Sequence, residues 1–310
     1  MIHQKHAYLI MAHNNFYCLE KLLLLLDDMR NDIFLHIDAK VKNFDYDYYR
    51  GLCKNANIIY PPKRIDVRWG TQSQVKTEML LFQTAYNHGT YGYYHLLSGS
   101  DLPLKTQDEL HQFFQLKTEC FITIHEHLTT YDYQRISRYH GLFGQNGRVR
   151  KRLNSYCGII QEKLGVDRTR KMRHLTIRRG WNWVSLPSCA VELLIAKRSF
   201  IRKITRFSVC ADEMYKQIVL LNANREDIQI CENRSSMRLV DWKRGAGNHP
   251  HIFTAEDFEM LCQSSMLFAR KFDEKVDKQI IDMIFYHILK KQQAEARNEN
   301  RNCNCLRWCE

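Results

Sequence analysis

The residues able to do chemistry in this 310-residue chain fall into a few short polar clusters. Asp38-Ala39-Lys40 follows an apolar run. An Asp-x-Asp at such a point would hold a divalent cation against a diphosphate. With lysine in place of the second acid, a cation of the protein's own would have to neutralise a departing diphosphate instead. Read alone, Asp38 is equally a turn residue. Asp212-Glu213 stands at a predicted helix start, where acids favour the macrodipole. Adjacent acids point in different directions, so one can cap while the other faces a crevice. A general base needs only one such carboxylate within hydrogen-bond reach. Trp181 and Trp183 alternate along a predicted strand and would share a face, as a core pair or as a platform for the apolar side of a sugar. His125-Glu126-His127 also puts two histidines on one predicted strand face, but no third ligand stands at sensible spacing, and no metal site is expected.

These clusters need elements to position them. Tyr94 to Leu97 reads as a buried strand that breaks into Ser98-Gly99-Ser100-Asp101, the usual edge of a ligand crevice in an open α/β sheet. Thr106 with Glu109 spells a capping box for a helix from Gln107 to Gln115. Ala7 to Ala12, Ile33 to Ile37, Ile58 to Tyr60 and Cys120 to Ile124 read as further strands. Phe16 to Arg30 and Gln72 to Asn87 read as helices between them. Such alternation implies a mostly parallel sheet. His13, Asp38 and Asp101 each fall just past a strand end, so they can converge on one edge. Later strands are expected at Gly180–Leu186 and Arg238–Trp242. Helices are expected at Ser188–Lys197, Asp212–Leu221, after Thr254 with Asp257 as its capping partner, and from Lys275 to Lys291.

Hydrophobic content of 45% and charged content of 26% are those of a globular protein. No signal peptide or membrane-spanning run is evident, which leads us to expect a cytoplasmic protein. The eleven cysteines are scattered without a CxxC pair and read as reduced thiols. Cys303, Cys305 and Cys309 lie in a tail, residues 296–310, expected to be flexible. From Arg135 to Arg179 the chain carries thirteen Lys or Arg against Glu162 and Asp167, nearly all of its net excess of +12. This block, about 131–179, reads as an insertion or lid with one amphipathic helix near Leu153 to Leu164. Its charge would attract an anionic membrane surface at the inner face of the cell membrane. A nucleic-acid partner is not expected, because aromatics are not interleaved with the basic run.

Eight segments in order resemble one family: AYLIMAHNN, IFLHIDAK, DVRWGTQSQV, YYHLLSGSDLPLKT, GWNWVSL, ADEMYKQIVLLN, RLVDWKRGAGNHPHIFTAEDFEML and LFARKFD. They resemble the core-2/I-branching β-1,6-N-acetylglucosaminyltransferases, a family that includes the peptide O-xylosyltransferases. The resemblance implies a single GT-A-like, Rossmann-like domain over residues 1–295. It implies an inverting transfer from a UDP-sugar, GlcNAc favoured, to a glycan hydroxyl, with no metal or other cofactor. The chain looks like a bacterial member, which would act in surface polysaccharide assembly on an acceptor that could be lipid-linked. The family's catalytic base matches Glu213, and its nucleotide contacts match His13 and Asp38. Its diphosphate-neutralising lysine matches Lys271. Its arginine has no clear match, which leaves Arg244 and His249 as candidates. Asp101, Trp181 and Trp183 are the acceptor-side candidates. A different donor within the family, a sugar-nucleotide-binding protein without catalysis, and a basic nucleic-acid-binding protein are the alternatives.

Overall fold

The apolar run after Lys5 forms the central strand of a five-stranded sheet. The structure, a computed structural model, describes residues 4–141, 148–247 and 249–306. Strands β1 (His6–Ala12), β2 (Asn31–Ile37), β3 (Asn57–Ile59) and β4 (Tyr93–Ser98) are parallel. The short β5 (Leu102–Pro103) follows, and β6 (Ser185–Pro187) pairs antiparallel with β4, completing the order β3-β2-β1-β4-β6. A second, three-stranded sheet sets β5 against β8 (Phe268–Arg270), which pairs in parallel with β7 (Arg238–Val240). Chain order reverses between β1 and β4, and in open α/β sheets ligands bind at such a switch point, beyond the carboxyl ends of the strands.

Both faces of the large sheet are covered, which is why β1 is apolar at every position from Ala7 to Ile10. Tyr8 and Ile10 join one core with the helices Phe16–Leu25 and Lys278–Leu306. Ala7 and Leu9 point to the other, with Gln72–His88, Ser188–Ala196 and Tyr215–Leu221. The expected capping boxes are present. Thr106 accepts from the Glu109 amide while Glu109 accepts from the Thr106 amide, and Thr254 and Asp257 do the same.

Several expected elements differ. Cys120–Ile124 is no strand; Cys120 and Phe121 make only single bridges, to Ile230 and Ser185. Gly180–Trp183 is irregular and the strand begins at Ser185, so the two tryptophans do not share a pleat. His125 to His127 are likewise irregular. Asp212 and Glu213 belong to a 3-10 turn, Ala211–Glu213, before the helix begins at Tyr215. The final helix continues to Leu306, through much of the stretch expected to be a flexible tail; Cys309 lies outside the described residues. Two short helices, Tyr46–Leu52 and Arg198–Thr205, add to the expected set. The basic block contains two helices, Thr130–Ser137 and Arg148–Lys163, and a 3-10 turn at Arg170–Met172.

Candidate active site

Glu213 sits on a turn that is fixed from several directions. Cys210 takes a left-handed conformation (φ 47°) to start it, and its amide donates to the Gly70 carbonyl at 3.0 Å. The Gly180 amide donates to the Glu213 carbonyl at 2.9 Å. Gly180 can make this approach because it has no side chain: a Cβ there would lie 1.7 Å from the Thr123 carbonyl oxygen. The Glu213 side chain is 28% exposed. Its Oε2 accepts from Arg135 Nη2 at 2.8 Å and from Arg179 Nε at 3.1 Å. The same arginines hold Asp132 Oδ1 at 3.3 and 3.2 Å. Two carboxylates and two guanidinium groups thus alternate in one network, and both of these bonds to Glu213 fall on Oε2. Asp132 is held below its ordinary pKa: burial works against this, but the Thr129 hydroxyl and the two arginines outweigh it.

Asp212 turns the opposite way. It is buried, accepts from Gln74 Nε2 at 3.1 Å, and has no partner on Oδ1. Its pKa is pushed up to about 7, first by burial and then by Glu78 and Glu213, against the pull of Lys216. The reason is visible in the packing. Lys216 Nζ is committed to Glu78 at 2.6 Å, both of them fully enclosed, with Asn182 and the Asp212 carbonyl as its other acceptors. The adjacent acids therefore divide, one inward and one toward the surface, but neither caps the following helix, whose N-cap is Met214 with no side-chain cap bond.

A second group gathers at the strand ends. Asp38, directly after β2, is buried and accepts from the Lys40 amide and Lys40 Nζ, each at 2.8 Å, and from the Val67 amide at 3.3 Å. Lys40 thus occupies the carboxylate that a metal would need. His13, exposed beyond β1, feels this group. Burial lowers its pKa, Asp38 raises it, and Lys271 and Lys40 lower it further. Lys271 follows β8 and is positioned through Asn15. Asn15 adopts φ 53° and its Nδ2 donates to Ser100 Oγ at 2.9 Å and to the Phe272 carbonyl at 3.2 Å. The Phe272 amide donates to the Ser100 carbonyl at 3.0 Å. One asparagine therefore stitches together the ends of β1, β4 and β8.

Several expected contacts need correction. Asp101 is wholly buried: its Oδ2 accepts from the Ser98 amide at 3.0 Å, while Oδ1 faces Arg270 Nε at 3.7 Å. It presents nothing to an acceptor and instead anchors the turn. Arg244 is taken by Asp241 at 2.6 Å and Asp257 at 2.7 Å, which removes it as a free second cation. His249 is exposed on the same loop, its amide bonded to the Ala246 carbonyl. Arg270 stands next to Lys271. It stacks 4.2 Å over Trp183, and its Nη1 is buried without a partner. One face of Trp183 is thereby covered by protein, not left open for sugar. Trp181 is half-buried and its carbonyl accepts from Gln217. Arg270 belongs to the segment LFARKFD, and Arg135 and Arg179 to the basic block, where they register only as bulk charge; nothing local in the sequence marks their partners. Two surface cavities, of about 440 and 750 Å³, lie elsewhere, one by Gln4, His6 and Leu116 and the other along Lys278–Lys290. Among the described residues no three His, Cys, Asp or Glu converge as metal ligands.

The family model for the Core-2/I-Branching enzyme matches residues 6–266, which include both acids of the 3-10 turn and stop just short of Lys271. Human xylosyltransferase 1 is 24% identical over 280 residues, covering 82% of this chain and 27% of its own length. Xylosyltransferase 1 of Pan troglodytes gives the same identity. The β-glucuronosyltransferase GlcAT14B of Arabidopsis thaliana is 26% identical over 208 residues, 65% of this chain and 45% of its own. The chain spans little more than a quarter of the length of these xylosyltransferases. With the family model extending from the first strand to the threshold of the last, this chain belongs to the core-2/I-branching enzyme family.

Proposed function

We propose that the protein is a glycosyltransferase that moves a sugar from a UDP-sugar to a glycan hydroxyl in one inverting displacement, without a divalent metal. The observation that carries this reading is Glu213, partly exposed and oriented through one oxygen by Arg135 and Arg179. Glu213 takes the proton of the acceptor hydroxyl as that oxygen bonds to the anomeric carbon. The bond from the anomeric carbon to the diphosphate breaks on the opposite face, and UDP leaves with the electron pair. Charge grows on the departing diphosphate, and Lys271 stabilises it with Arg270 beside it. His13 and Asp38 contact the nucleotide. Lys40, seated on Asp38, supports the metal-independent reading through the donor set itself.

The test is UDP release from UDP-GlcNAc, UDP-xylose and UDP-glucuronate, with a mixed glycan acceptor, with and without EDTA. Release from at least one donor that ignores EDTA is expected. Release abolished by EDTA would overturn the metal-independent mechanism, and no release from any donor would overturn the transferase reading.

A further inference from the structure

The Arg148–Lys163 helix is turned inside out. Val149, Leu153, Tyr156, Ile160 and Leu164 are spaced four, three, four and four residues apart, which places them along one stripe. In a helix packed on a core that stripe would face inward. Here all five are between 42% and 73% exposed. The side that meets the protein carries Cys157 and Gln161. Gln161 is buried, donating to the Tyr139 carbonyl at 3.0 Å and accepting from the Tyr139 amide at 2.7 Å. Arg138 adds an ion pair with Glu162 at 3.2 Å. The helix is therefore fastened by polar bonds, leaving its apolar face to the outside.

Charge identifies what covers that face. Arg152 and Lys163 are exposed and border the stripe by helical spacing. Arg148 precedes it, and the following turn exposes Arg170, Lys171 and Arg173. An apolar stripe flanked by cations suits the boundary between lipid head groups and acyl chains, where side chains bury and lysine or arginine meets anionic phosphate. A nucleic acid would use the cations and leave the stripe in water. We infer that this helix is an interfacial anchor that lies on an anionic lipid bilayer. It does not cross one, for no helix among the described residues is long and apolar enough to do so.

The anchor is tied to the site. The segment that carries it leaves the body at Asp132–Arg135 and returns at Arg179, and both ends grip Glu213. A hydroxyl carried on a membrane-borne acceptor would thus be delivered on the side of the base, a point that rests on the transferase reading. Membrane binding itself does not.

The experiment is sedimentation of the full chain with vesicles of phosphatidylcholine alone and of phosphatidylcholine mixed with phosphatidylglycerol, in the absence of donor. Partition into the mixed vesicles is expected to be roughly tenfold stronger than into the neutral ones. The pair Leu153→Glu and Ile160→Glu should weaken it at least about tenfold with the melting temperature unchanged, since both positions are exposed. Equal binding to the two vesicle types, or binding indifferent to the pair, would overturn the inference. So would a dimer in solution that the pair converts to monomer without any vesicle binding, which would assign the stripe to a second copy. Because no turnover is read, the anchor and the transferase reading fail separately.

Discussion

The two halves of the proposed site are built in opposite ways. The half around His13, Asp38 and Lys271 stands on strand ends, and short bonds between neighbouring loops, above all those of Asn15, hold it together. The half around Glu213 stands on a one-turn 3-10 helix, with Arg135 and Arg179 reaching in from 78 and 34 residues away in the chain. Strand ends are aligned by the sheet itself, so nucleotide contacts placed there come pre-positioned. A carboxylate on an irregular turn has no such frame and must be oriented by charged partners. On the mechanism proposed above, the first half would hold the donor and the second would carry the proton transfer.

Glu213→Gln is the strongest way to break that division. Turnover should fall by roughly 100-fold or more, the scale of a lost general base, while UDP affinity by calorimetry stays within about twofold. Retention of more than about a tenth of wild-type turnover would remove the base from Glu213. Lys271→Ala should do the converse. It should weaken UDP binding and cost on the order of 100-fold in rate, because charge develops where the lysine sits. Unchanged UDP affinity would sever Lys271 from the donor.

Asn15→Ala sharpens the comparison at lower cost. It leaves the Phe272 carbonyl without its side-chain partner and puts alanine at φ 53°. A loss of about 1–3 kcal/mol in unfolding free energy is expected from the lost bonds, together with weaker UDP binding because Lys271 loses its brace. Asn15→Gly accepts the same φ and separates backbone strain from lost hydrogen bonds. If both variants bind UDP as wild type does, the stitch is structural only.

How much of this was legible follows the same division. Strand ends announce themselves locally: an apolar run stops at His13, at Asp38 or at Ser98, and parallel pairing brings the ends together. Capping boxes at Thr106 and Thr254 are local too. Glu213 was legible as one of two acids at an element start, although the element is a 3-10 turn. Its arginines were not, because an ion pair across 78 residues leaves no periodic trace. For the same reason Arg135 and Arg179 read as part of a basic field, whereas the structure uses each to hold a carboxylate. Asp101 misleads in the other direction: a polar residue after a strand reads as exposed, yet Ser98 and Arg270 enclose it. The outward apolar stripe on Arg148–Lys163 follows helical spacing in the sequence, but which side faces the protein depends on Gln161 and Tyr139.

The smallest effect concerns Asp212, the inward acid of the pair. Its ordinary pKa of 3.8 rises to about 7 in the folded protein, chiefly through burial. Between those values the folded chain keeps a proton that the unfolded chain releases. The unfolded state then binds fewer protons, so this residue's contribution to stability falls as pH rises. It is fully present below 3.8 and lost as pH passes about 7. An amide in place of this carboxyl cannot ionise. Asp212→Asn should therefore gain on wild type in urea unfolding as pH rises toward about 7, level off above that point, and leave Glu213 in its arginine grip. A stability difference that does not change with pH would mean that Asp212 ionises as freely inside as outside. The second half of the site would then owe its arrangement to hydrogen bonds, and the contrast between a framed donor side and a charge-positioned base would lose one of its supports.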